Sequence, residues 1–143
     1  MIIREARAAD APSMVELIGQ LEFAVEQASV IDRLERLAAS GEPVLLAEAD
    51  GAVVGLLDWH VMTTIHRPQP IGRLVALVVA DGHRGTGIGR ALVAEAEQRM
   101  RSRGCGKMEV TSNLRLGDAH RFYEGLGFER SSYRFAKDLS AKP

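Results

Sequence analysis

Between residues 82 and 89 the chain reads Gly82-His83-Arg84-Gly85-Thr86-Gly87-Ile88-Gly89, a cation set among glycines just ahead of a helical pattern. Backbone N–H groups at a helix start lack internal partners, and the helix dipole adds partial positive charge there. Glycines let the main chain approach an anion without side chains in the way, and Arg84 adds a full charge. The chemistry this suits is the gripping of a diphosphate. Of two other phosphate loops, the P-loop fails on spacing and the dinucleotide loop fits weakly. The P-loop needs Gly-Lys-Ser/Thr, whereas Gly85, Gly87 and Gly89 precede Thr86, Ile88 and Arg90. The dinucleotide pattern Gly-x-Gly-x-x-Gly/Ala meets Arg90 in its last place when begun at Gly85, and Leu92 when begun at Gly87. What remains is Arg-x-x-Gly-x-Gly over Arg84, Gly87 and Gly89.

The elements that must hold this loop can be read from periodicity. Leu74 to Val79 is a nearly continuous apolar run, as expected of a central strand covered on both faces. After the loop, Ile88, Leu92, Ala96 and Met100 recur four apart, which predicts a long helix stopped by Gly104. Upstream, Ile2 to Glu5 reads as a first strand. Asp10 is placed to cap a helix near 11–20, with Pro12 in its first turn. Ser29 and Asp32 resemble a capping pair for a second helix carrying Val30, Ile31, Leu34 and Leu37. Val44–Ala47 and Ala52–Leu57 flank Asp50-Gly51, a hairpin signal, and the second strand is expected to run on through Trp59, His60 and Val61. Met108–Thr111 reads as a strand, Asp118–Gly125 as a short helix and Tyr133–Leu139 as a closing strand. The order is mixed α and β around one sheet.

Composition bounds the partners. With 143 residues the expectation is a single domain over 1–143. The chain carries 18 basic against 19 acidic residues, net −1, so no general field draws it to nucleic acid or anionic lipid. Cys105 is the sole cysteine and cannot form an intramolecular disulfide. No secretion signal or membrane-spanning apolar run is visible, so a cytoplasmic protein is expected.

A second motif lies downstream. Thr111-Ser112-Asn113 is followed after a gap by Ala119-His120-Arg121-Phe122-Tyr123-Glu124-Gly125-Leu126-Gly127-Phe128, in which Tyr123, Gly127 and Phe128 spell Tyr-x-x-x-Gly-Phe. Two motifs in this order resemble the GNAT superfamily of N-acetyltransferases, and the likeness covers nearly the whole chain. It implies an α+β fold: a central, mostly antiparallel mixed sheet of about six or seven strands, splayed at the middle, with about four helices on its faces. It also implies acetyl-CoA as co-substrate, whose acetyl group passes to a primary amine by direct attack. A non-catalytic CoA-sensing or partner-binding module on the same fold is the alternative. One departure is the absence of the family's Val-x-Pro, since Val79 is followed by Ala80 and Asp81; Gly82 is expected to supply the bend.

The resemblance also suggests roles. The loop residues Arg84, Gly85, Thr86, Gly87, Ile88 and Gly89 would hold the pyrophosphate, and the backbone of Leu77, Val78 and Val79 would pair with the pantetheine amides like an added strand. Asn113 resembles an asparagine that touches the cofactor. Tyr123 matches the position that protonates the CoA sulfur, and a phenol with its reference pKa near ~10 keeps its proton at neutral pH. Glu109 lies where some relatives carry the base, with a merely solvated strand carboxylate as the competing reading. His120, His60, Glu22 and Glu26 are further polar candidates around the amine. The four histidines show no i,i+3 or i,i+4 pairing, so no metal is expected. Cys105 reads as a packing thiol. A homodimer is frequent in such folds, although no pattern here encodes an interface, and nothing selects the amine.

Overall fold

The computed structural model describes residues 1–112 and 116–140, and the chain divides into two units, Met1–Val110 and Thr111–Pro143. In the first, β1 (Ile2–Glu5) and a 3-10 turn (Ala8–Asp10) lead into α1 (Ala11–Gly19) and α2 (Gln27–Ala39). Then come β2 (Leu45–Ala49), β3 (Ala52–Met62), β4 (Ile71–Val79), α3 (Ile88–Ser102) and β5 (Lys107–Val110). The second unit contains α4 (Gly117–Gly125).

The five strands lie side by side in chain order, antiparallel from β1 to β4, with β5 parallel to β4. Asp50 and Gly51 join β2 to β3 with both φ angles positive, 52° and 77°, the geometry of a tight hairpin turn. Alternation along the strands sorts the sheet's faces. Leu46, Leu56 and Val78 stand in cross-strand register and pack with Met14, Leu17, Val30 and Leu34 of α1 and α2. The opposite face belongs to α3. A Cβ on Gly55 would lie 3.0 Å from both Ile88 and Leu92, and one on Gly72 would lie 2.2 Å from Met100 Sδ. Ile88, Leu92, Ala96 and Met100 are all buried, as their spacing predicts.

Three helices stop in the same way. In α2, α3 and α4 a glycine with positive φ (Gly41, Gly104, Gly127) follows the last turn. The next residue's N–H then reaches back to Leu37, Met100 or Tyr123 at 3.0 to 3.1 Å. This reverse bond satisfies a carbonyl that each helix leaves open.

Four expectations change. The sheet has five strands among the described residues rather than six or seven. Tyr133–Leu139 forms no strand, and Tyr133, Phe135 and Leu139 are exposed; alternating apolar residues need a partner strand to become one. Ser29 is no cap, because α2 begins two residues earlier with Glu26 at the N-cap. Asp10 does occupy the N-cap of α1, yet its carboxylate turns back to Arg4 and the Arg7 N–H rather than capping the helix.

Candidate active site

β4 is one strand with two kinds of edge. Ile71 to Leu74 pair with Lys107 to Val110 of β5, and the described ladder ends there. On its other side β4 stays paired with β3 up to Val79. The residues Val75 to Val79 therefore have a strand on one side only, among the described residues. The parting begins at a bulge. Asp58 of β3 faces Ala76 and Trp59 faces Leu74, so Val75 is an extra residue with no opposite number. Val75 is 48% exposed although it sits in the middle of an inner strand. Leu77 and Val78, and Val79 with them, thus lie along an edge with no described strand beyond it, the kind of edge that can take an extended ligand.

Beyond Val79 the chain turns. The His83 N–H donates to the Ala80 carbonyl at 3.0 Å, and Gly82 in this turn has φ +85°. This is the bend that glycine was expected to make in place of proline. Gly85 and Gly87 also have positive φ, 77° and 86°, and Gly87 is the N-cap of α3. A Cβ on Gly82, Gly85 or Gly87 would meet nothing within 4 Å, so the conformation, not crowding, is what requires glycine here. The first N–H groups of α3, on Ile88 and Gly89, have no partner within the helix. Thr86 bonds through its hydroxyl to the His83 carbonyl. Arg84 donates from Nε to the Val79 carbonyl at 3.2 Å and pairs with Asp81 at 3.2 Å, so the exposed cation is held beside the end of β4. Open backbone at a helix start beside a one-sided strand edge fits a molecule with a diphosphate and amides in line, as in a CoA thioester.

Glu109 on β5 stands opposite Arg73, and the two pair at 3.3 Å. The carboxylate thus has a cationic neighbour, and both side chains are partly exposed. His60 binds Glu42 through Nδ1 at 2.8 Å. Burial pushes the Glu42 carboxyl up, but His60 and the Val61 N–H outweigh it and hold the group below its usual range. Trp59 is fully buried and donates to the Pro43 carbonyl, so it belongs to the core. Glu22 and Glu26 are exposed on the α1–α2 connection, Glu22 with φ +67°. Burial pushes the Cys105 thiol up, the opposite of activation. Asn113 lies outside the described residues. A cavity of about 570 Å³ lies elsewhere, at the β1–α1 corner, and its Arg4, Asp10 and Glu48 already satisfy one another.

In the second unit the Tyr-x-x-x-Gly-Phe spacing has a local cause. Gly127 takes the left-handed turn after α4, with φ +92°, and its N–H bonds the Glu124 carbonyl. That folds Phe128 back over Tyr123, with ring centres 5.6 Å apart, while Phe122 meets the tyrosine at 5.3 Å. The half-buried Tyr123 phenol is pushed above its ordinary value by burial, so it holds its proton at neutral pH. His120 sits on the same helix.

Comparison with known proteins agrees with this arrangement. The acetyltransferase (GNAT) family profile matches residues 10–128. The chain belongs to that family of acyl-transferring enzymes. An aminoalkylphosphonate N-acetyltransferase from Salmonella typhimurium is 39% identical over 94 residues, 66% of this chain and 61% of that protein. The match thus spans less than two thirds of that relative's length. A glucosamine 6-phosphate N-acetyltransferase from Trypanosoma brucei brucei is 29% identical over 96% of this chain and 95% of its own. Among solved structures, a transcriptional regulator from Bacillus halodurans C-125 superposes with TM-score 0.87 at 25% identity, covering 96% of this chain and 99% of that one.

Sequence reasoning passed over Asp58 and Glu42. Asp58 carried a signal: a lone acid two places from Leu56 in an apolar strand lies on the same face as that core leucine. Glu42 carried none, since its partner His60 is 18 residues away.

Proposed function

We propose that residues 1–143 form one acyltransferase domain that moves an acetyl group from acetyl-CoA to a primary amine of a small molecule or protein. The observation that carries this reading is the one-sided stretch of β4 from Val75 to Val79, running directly into the glycine turn and the start of α3. Arg84, Gly85, Thr86, Gly87, Ile88 and Gly89 would hold the pyrophosphate, the main chain of Leu77, Val78 and Val79 the pantetheine, and Asn113 a further part of the cofactor. Bound acetyl-CoA supplies the thioester. Tyr123 gives its phenolic proton to the departing sulfur. Glu109 takes the proton from the acceptor nitrogen, directly or through water, and Arg73 keeps that carboxylate in place.

The two curated relatives act, by their names, on an amine beside a phosphonate and on an amino sugar phosphate, so both acceptors belong in a first panel with an aminoglycoside and a peptide N-terminus. Release of CoA thiol with at least one of them is the expected result. Binding of acetyl-CoA without release in any acceptor would point to a CoA-sensing module instead.

A further inference from the structure

On the α1/α2 face of the sheet, one carboxylate has no partner for one of its oxygens. Asp58 lies two residues beyond Leu56 on β3 and opposite Ala76 on β4, which in turn is two residues before Val78. Leu56 and Val78 belong to the core under α1 and α2, so alternation puts Asp58 on that same face. Its Oδ1 is buried and makes no hydrogen bond. Burial pushes its carboxyl up, and Glu42 adds to the rise; His60 and the Trp59 N–H pull the other way without cancelling it.

A carboxylate with one buried oxygen left unpaired destabilises the fold, whereas an apolar residue of similar size would not. The position is also particular. Ala76 faces Asp58 with the unpaired Val75 next to it, and the described pairing of β5 with β4 ends at Leu74. The carboxylate thus stands at the bulge where the sheet parts, on the face opposite α3. Val75 beside it is 48% exposed, so solvent reaches the bulge next to the buried oxygen.

We propose that Asp58 is the docking residue for the acceptor: its carboxylate accepts hydrogen bonds from the ammonium of an incoming primary amine and sets that nitrogen beside the parted segment of β4. The inference rests on the acetyl-transfer reading above. A cationic amine supplies the two things the site lacks, a donor and a positive charge. Neutral amides and alcohols supply only the first, so the acceptor class is a primary ammonium. Glu42 and His60, paired with each other nearby, complete the charged groups that act on Asp58.

The test is Asp58→Asn, which keeps the shape and removes the charge, assayed with whichever amine of the panel the wild type turns over fastest. The expected result is a fall of at least ~30-fold in kcat/KM for the amine, the consequence of removing one member of a buried charge pair. KM for acetyl-CoA should stay as in the wild type. The variant should also melt higher by roughly 2–4 °C, because a neutral amide escapes the cost of burying charge. The amine alone should raise the melting temperature of the wild type and not of the variant. Unchanged amine kinetics overturn the proposal, whatever the melting point. A clearly lower melting point overturns it too: the amide oxygen keeps the Trp59 N–H bond, so such a loss would mean that Oδ1 has a native partner. A wild type that turns over no amine removes the acetyl-transfer reading itself; a live wild type with an unaltered variant removes this proposal alone.

Discussion

Asp10 and Asp58 are both set into the first unit, and they behave in opposite ways. Asp10 is 9% exposed and receives Arg4 through two bonds of 2.8 Å, with the Arg7 N–H at 2.7 Å. The Arg4 guanidinium, foremost among these, holds its carboxyl below the usual range. Arg4 in turn reaches Glu48 on β2, so the corner of β1, α1 and β2 is closed on itself. Asp58 has burial without such partners and is pushed the other way. The same side-chain type thus marks a finished joint in one place and a vacant valence in the other. The lesson is that depth alone does not separate structural from functional acids; satisfaction does.

The contrast can be broken at either end. The largest effect is expected on the ligand side. Gly87→Glu should abolish CoA binding in calorimetry, a loss beyond ~10³-fold in affinity, by placing an anion and a side chain where a diphosphate must sit. The fold should persist, since a Cβ there meets nothing within 4 Å and the left-handed φ costs only about 1–2 kcal/mol. Wild-type CoA affinity in that variant would show that the open end of β4 is not a nucleotide site.

Tyr123→Phe comes next, with kcat lower by about 10²-fold and acetyl-CoA affinity unchanged, read by steady-state kinetics and calorimetry. An undiminished kcat removes the phenol from the reaction.

On the closed side, Asp10→Ala should cost about 3 kcal/mol, seen as a fall of roughly 10 °C in melting temperature, with kcat preserved. Its pH dependence carries the sign of a depressed acid. The carboxylate's contribution is complete above the unfolded range near ~4 and fades as pH falls through the lower folded value, so wild type and variant should converge in acid. Asp58 has the reverse sign. Its folded carboxyl binds a proton more tightly than the unfolded chain does, so its effect on stability worsens as pH rises through the folded value. Loss of activity in Asp10→Ala at full folding would blur the comparison.

Smallest is Gly72→Ala. The new methyl would lie 2.2 Å from Met100 Sδ, but a flexible thioether can move aside, so a cost of about 1 kcal/mol is expected by thermal melting.

Much of the frame was legible because its causes are local. The four-residue spacing from Ile88 to Met100 follows from helix geometry, and glycines at 51, 82, 87 and 104 stand where the backbone needs positive φ. The Tyr123–Phe128 motif is of the same kind, a helix ending that brings two rings edge to face. The glycine turn and the ending of the tyrosine helix were legible in the same way, whereas the partners of the candidate acids were not. Glu109 gained a partner in Arg73 that lies 36 positions earlier. Ser29 had the right type for a cap, but α2 starts earlier, with Val30 and Leu34 buried under the sheet.

What the chain's order of residues determined is which segments turn, coil or extend, and which edge of each element is apolar, because those depend on neighbours within a few positions. Only the assembled sheet decided that Val75 is a bulge, that β5 leaves β4 at Leu74, and that Asp58 lacks the partners Asp10 enjoys. Periodicity says that a side chain faces inward. What stands opposite it depends on strand register, and register is set by contacts between residues far apart along the chain.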